Sequence, residues 1–111
     1  MQARTLHCDV EKTGEHDSET GLVVTVTCHG QLVSETAHTL RAVVKPLIDD
    51  GGRIVLDFED VSYVDSMGLG ALVALKASAI GRGYCTLTFG HISKQVETLL
   101  HLTHLLEMFR S

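Results

Sequence analysis

The sequence predicts a single α/β domain over residues 1–111, in which a mixed, mostly parallel sheet of four to five strands carries packed helices. Two observations lead there. Residues 22–28 (LVVTVTC), 54–58 (IVLDF) and 84–89 (YCTLTF) are short apolar runs rich in β-branched and aromatic side chains, of the length and kind that form buried strands. Around them apolar positions recur at three- and four-residue steps, the period of a helix buried on one face. Helices alternating with strands imply crossover connections and therefore parallel pairing.

Taken in order, residues 3–10 (ARTLHCDV) alternate weakly and predict an edge strand. The polar run 11–21 (EKTGEHDSETG) predicts the turn that joins it to strand 22–28, making an antiparallel edge pair. His29-Gly30 is expected to end that second strand. From Ser34, a suitable N-cap, Ala37, Leu40, Val43, Val44 and Leu47 trace one helix face, and Gly51-Gly52 supply the stop. Pro46 within that face predicts a kink or a shortened last turn, because proline has no backbone donor. After strand 54–58, Glu59-Asp60 is expected to turn and 61–64 (VSYV) to lead into Asp65. A small-residue helix then runs over 66–80 until Gly81 and Gly83 close it. Beyond strand 84–89, residues 92–109 predict helix, with Ile92, Val96, Leu99 and Leu100 on one face and an interruption near Thr103.

Composition removes several classes of function. With a formal charge of −5 and no Lys/Arg cluster, the chain would be repelled by a nucleic acid or an anionic membrane. Aromatic residues at 5 %, without Trp, leave no stacking platform for single-stranded nucleic acid. Cys8, Cys28 and Cys85 are odd in number and form no C-x-x-C pair, which favours reduced thiols in the cytosol over a disulfide framework or a zinc knuckle. The opening MQARTLHCDV has no basic-then-apolar secretory pattern. The longest stretch free of polar side chains, 67–75, is far short of the roughly 18–20 residues that span a membrane. A soluble, cytoplasmic protein is expected.

The informative segment is 54–80, IVLDFEDVSYVDSMGLGALVALKASAI. A buried strand delivers the chain to Asp65-Ser66 where a helix begins, and Gly68 and Gly70 keep its first turn free of bulk, so that a partner's backbone can approach. Free N–H groups and a partial positive charge at a helix start would tolerate a phosphate on Ser66. The same phosphate adds about −1.5 to −2 charges beside Asp65, enough to repel an acidic partner without unfolding anything. A plainer reading stands next to this one: Asp and Ser are both good N-caps, and Asp-Ser before a helix needs no further role.

The run V-S-Y-V-D-S-M-G-L-G-A-L resembles the D-S-x-G-L-G hallmark of the STAS family, in its anti-sigma-factor antagonist type. Gly30-Gln31-Leu32 resembles the G-x-L that opens the first helix in that family, residues 54–58 its central strand, and residues 92–109 its closing I-S-x-x-V-x-x-x-L segment. The resemblance implies a STAS-like fold and a phosphorylation-switched protein-binding regulator without catalytic residues. It implies phosphorylation of Ser66 by a serine kinase that is also the anti-sigma factor, and resetting by a metal-dependent serine phosphatase. The partner-binding surface would comprise Asp65, Met67, Gly68, Leu69 and Gly70, with Val33 and Ser34 beside them. Two positions depart from the family pattern: Val33 stands where G-x-L-D has an aspartate, and Met67 where a second hydroxyl is common. A STAS module that is not phosphorylated and serves as a scaffold or a transport-associated interaction domain is the alternative reading.

Other motifs fail on their own terms. The Gly68-x-Gly70 run has Val73 at the third position of a dinucleotide fingerprint, and the P-loop pattern is missing. Ser66 sits in V-D-S-M-G rather than the G-x-S-x-G of a nucleophile elbow. A small hydrolase or nucleotide-binding protein would need a deep polar pocket at Ser66. His101 and His104 lack a matching carboxylate or thiolate pair, so neither a metal nor another cofactor is expected. Cys85 reads as a small buried hydrophobe.

Overall fold

The computed structural model describes residues 4–17 and 21–109. Strands β1 (Leu6–Asp17), β2 (Gly21–Leu32), β3 (Gly52–Val64) and β4 (Cys85–Ile92) form one sheet in the order β1-β2-β3-β4. β1 pairs antiparallel with β2, while β2–β3 and β3–β4 are parallel. The parallel strands are joined by helices α1 (Ala37–Asp50) and α2 (Ser66–Arg82), which pack against each other and the sheet. After β4 come α3 (Lys94–Leu102) and a 3₁₀ turn at Leu106–Phe109. The mixed, mostly parallel four-stranded sheet is the fold that strand–helix alternation predicts.

The core lies between this sheet face and the helices. Val24, Val26 and Cys28 from β2 and Ile54, Leu56 and Phe58 from β3 meet Leu40, Val44 and Ile48 of α1 and Ala71, Leu72 and Leu75 of α2, all buried. Burying side chains of this size is worth about 1.5–3 kcal/mol each before the cost of ordering them. Lys76 is drawn into the core as well, 2 % exposed, its Nζ donating to the Leu87 carbonyl at 2.7 Å. Desolvation of that ammonium pushes its pKa down.

Several element limits differ from the sequence-based expectation, each for a physical reason. Residues 11–17 continue β1 instead of turning, because Glu11, Lys12 and Thr13 face Thr25, Val24 and Val23 and an edge strand can carry polar residues once its backbone is paired. The rest of the expected turn, 18–20, lies outside the described residues. His29-Gly30 does not end β2, and Glu59-Asp60 does not turn. The two strands shift register between Thr27 and His29 and again between Gly30 and Gln31, absorbing the irregularity and pairing on to Leu32 and Val64.

Gly30 adopts φ +118°, and a Cβ there would lie 2.2 Å from the Thr5 carbonyl oxygen, so only glycine lets the edge strand close on this bend. α1 runs through Pro46 to Asp50 without a shortened last turn; the carbonyl left without a donor belongs to exposed Ala42, where water can take it. Gly81 lies inside α2, and Gly83, left-handed at φ +78°, caps it. Ile92 ends β4 and does not join α3, whose N-cap is Ser93.

Candidate functional site

β2 and β3 end side by side, Leu32 beside Val64, and deliver two segments to one edge of the domain: the β2–α1 loop and the start of α2. The loop is held by Thr36, 5 % exposed. Its Oγ1 accepts the Val33 N–H at 2.9 Å and donates to the Gln31 carbonyl at 2.7 Å. α1 thus starts at Ala37 with Thr36 as N-cap residue, not at Ser34 as the sequence suggests. Ser34 turns its hydroxyl to the Glu35 carboxylate at 2.7 Å and its N–H to Asp65.

Asp65 braces the two segments. One carboxylate oxygen accepts the Gly68 N–H at 2.8 Å, capping α2, and the other accepts the Ser34 N–H at 3.0 Å. Its own N–H donates to the Leu32 carbonyl at 3.1 Å. The Gly68 N–H foremost, then those of Ser34 and Met67 and the positive charge of Arg4, hold its pKa below the usual carboxylate value. A group with a depressed folded pKa stabilises the fold above its unfolded pKa and loses that contribution as pH falls through the folded one. Asp65→Asn keeps a capping oxygen but not the charge. The Tm advantage of the native chain over this variant is therefore expected to be full at neutral pH and to shrink below about pH 4. A thermal melt series with a constant gap across acid pH would contradict this account.

With Asp65 as cap, Ser66 occupies the first helical position and is exposed. Its hydroxyl makes no hydrogen bond among the described residues. Met67, next to it in the chain, is 57 % exposed, and Tyr63, near the end of β3, 50 %; Gly70 and Ser34 are exposed and Leu69 half-buried. The residues singled out from the sequence therefore gather at one edge of the fold, but two of them offer no side-chain surface. Val33 is 0 % exposed and belongs to the core. Gly68 is buried against β2, where a Cβ would lie 2.2 Å from the Leu32 carbonyl oxygen. Tyr63, Thr36 and Arg4 complete the site without a sequence signal; only strand alternation, which turns Tyr63 away from buried Val64, hints at the first.

Three surface cavities of about 380, 370 and 410 Å³ are lined by β4 with the C-terminal turn, by α1 with α2, and by His101, His104, Leu106 and Glu107. Ser66 lines none of these three. Asp57, Glu59 and His91 bring one ligand atom each within 4.8 Å of one another, a grouping of two carboxylates and an imidazole that could hold a cation. It joins β3 to β4, so no spacing along the chain announces it. Nearby on the sheet, His29 Nδ1 lies 2.6 Å from Asp60, whose carboxylate raises the imidazole pKa.

The sequence model of the STAS domain matches residues 15–111. This chain belongs to the STAS domain family. Its architecture is similar to that of the anti-sigma factor antagonist SpoIIAA in unphosphorylated form, with TM-score 0.69 and 18 % identity over 92 % of this chain and 84 % of that one. An anti-sigma factor antagonist from Mycobacterium paratuberculosis aligns over the same shares at TM-score 0.69 and 21 % identity. A protein from Thermotoga maritima assigned to the same class shares 29 % identity over 75 % of this chain and 72 % of its own, at TM-score 0.60. SpoIIAA of Bacillus in its phosphorylated form aligns at TM-score 0.58 and 19 % identity over 87 % and 85 % of the two chains. Among the described residues of this STAS domain, no helix is long and apolar enough to cross a membrane.

Proposed function

We propose that this STAS domain is an anti-sigma-factor antagonist, a cytoplasmic protein-binding regulator without catalysis of its own, switched by phosphorylation of Ser66. The observation that carries the reading is the division of labour at the start of α2. Asp65 takes the capping role that could have occupied either residue, and Ser66 is left exposed, its hydroxyl without a hydrogen-bond partner among the described residues. A nucleophilic hydroxyl must be reachable to be phosphorylated, and a reversible contact needs exposed apolar groups, which Met67 beside it and Tyr63 at the end of β3 offer. The likeness to anti-sigma factor antagonists, among them SpoIIAA in phosphorylated and unphosphorylated forms, supports the same reading.

The unphosphorylated form would dock its α2 edge on an anti-sigma factor that is also a serine kinase. Transfer of a phosphoryl group to the Ser66 oxygen would then set a dianion beside the Asp65 carboxylate and disrupt the contact. A metal-dependent serine phosphatase would hydrolyse the ester and restore binding. The capping N–H of Gly68 is already taken by Asp65, so much of the added charge would face outward, toward the partner.

Incubation with the cognate kinase and ATP should add a single phosphate, located at Ser66 by fragmentation mass spectrometry. Ser66→Asp should weaken kinase binding about tenfold or more, while Ser66→Ala should bind as the native chain does and accept no phosphate. Phosphate found elsewhere, or equal affinity of the two variants, would dismiss the switch. A stable complex with no phosphorylation at all would instead support a scaffold module, the reading that Val33 in place of the family aspartate favours.

A further inference from the structure

Away from this edge, one pair of side chains is set for covalent chemistry. Cys8 on β1 and Cys28 on β2 are directly opposed in the antiparallel ladder, and their sulfurs lie 3.2 Å apart. Both are free thiols. Opposed residues of an antiparallel pair have Cα atoms about 4.5–5.5 Å apart, inside the roughly 4.4–6.8 Å that a disulfide spans, so side-chain rotation alone can close the gap. Cys28 is fully buried, whereas Cys8 is half-buried on the edge strand and open to a small oxidant.

The surroundings give the two sulfurs different parts. A hydrogen bond from the Cys28 thiol, with help from His29, lowers the pKa of Cys8 against the opposing effects of burial and Asp9. Donating that hydrogen bond, together with burial, drives Cys28 far up. Cys8, the less buried sulfur, is the one a peroxide can reach, and Cys28, opposed to it in the ladder, is placed to resolve it. Cys85, buried on β4, has its pKa raised by desolvation.

We infer that Cys8 and Cys28 form a reversible disulfide between β1 and β2 when the protein meets a hydroperoxide such as hydrogen peroxide. The Cys8 thiolate attacks one peroxide oxygen; the O–O bond breaks, an S–O bond forms, and hydroxide leaves, giving a sulfenic acid at Cys8. The Cys28 sulfur then attacks the Cys8 sulfur and displaces the hydroxyl. The Cys28 thiol proton leaves with it as water, so that two thiols and one peroxide become one disulfide and two waters. Cys8 precedes the stretch 15–111 that the family model matches.

The bond would fasten β1 at the bend where the Thr5 carbonyl accepts the Gln31 N–H at 2.9 Å, next to the loop that carries Ser34. Oxidation would thus secure one of the two segments of the site independently of Ser66.

The test uses the full chain, treated with hydrogen peroxide, then denatured and alkylated with N-ethylmaleimide. The intact mass should fall by about 2 Da before alkylation, from loss of two hydrogens, with one thiol left to alkylate. Trypsin should release peptide 5–12 joined to peptide 13–41, and dithiothreitol should separate them and restore three reactive thiols. Cys8→Ser should abolish the cross-link. Three alkylated cysteines after peroxide, a sulfinic acid at Cys8 beside an alkylated Cys28, or a dimer linked between chains would each overturn the inference. The peptide map of the native chain decides the matter even where a cysteine variant folds poorly, and no outcome depends on phosphorylation.

Discussion

Gly68→Ala is expected to lower the Tm by on the order of 10 °C, a loss of about 3 kcal/mol. The added Cβ would stand 2.2 Å from the Leu32 carbonyl oxygen and 2.8 Å from Leu32 Cγ, and the nearest of these atoms is backbone that cannot rotate away. α2 would have to move off β2, stretching the hydrogen bond from the Asp65 N–H to the same carbonyl and the cap at Gly68 itself. Gly70→Ala, two residues further along, should have the opposite sign. A Cβ there meets nothing within 4 Å, and alanine in a helix interior is favoured over glycine by about 0.5–1 kcal/mol. Thermal or urea denaturation of the two variants separates the two glycines of the hallmark. One is a packing requirement and the other a surface choice, which under the proposed function leaves room for a partner. Equal and small effects would refute the tight approach of α2 to β2.

Thr36→Val, nearly isosteric, is expected to destabilise the fold by about 2–4 kcal/mol, read as a fall in the urea midpoint without a change in slope. The methyl that replaces Oγ1 leaves the Val33 N–H without its acceptor and the Gln31 carbonyl without its donor at a buried position. Thr36→Ser, which keeps the oxygen and loses a methyl, should recover most of the difference. The pair distinguishes the hydrogen bonds from mere volume: if serine falls as far as valine, the polar links are not what holds the loop. Because this loop presents the Ser34 N–H to Asp65, the valine variant should also loosen the site.

The strands at 22–28, 54–58 and 84–89 and the helix after Asp65 were legible because burial forces runs of apolar residues with a definite period. The polar half of β1 was not, since a strand with solvent available to it needs backbone pairing more than it needs apolar side chains. Glu59-Asp60 looks like a turn by composition, yet β2 and β3 shift register together there and carry their ladder on to the site. Of the site itself, Asp65, Ser66 and the two glycines stood out as a contiguous motif. The Leu32 carbonyl receives the Asp65 N–H from a distant part of the chain, and Thr36 works on backbone groups of its own loop, neither of which an apolar period displays. Val33 marks the limit of reading a position by its place in a motif, for its side chain is spent on the core.

One carboxylate that grips both the β2–α1 loop and the first turn of α2 has a consequence for how fast such a device can respond. Under the proposed function the docking face is assembled before a partner arrives, so that little would have to be ordered on encounter and little entropy would be lost there. A change of charge on that face needs no mechanical rearrangement to be felt. The delay between a chemical mark and its readout would then be set by the dissociation of the complex alone.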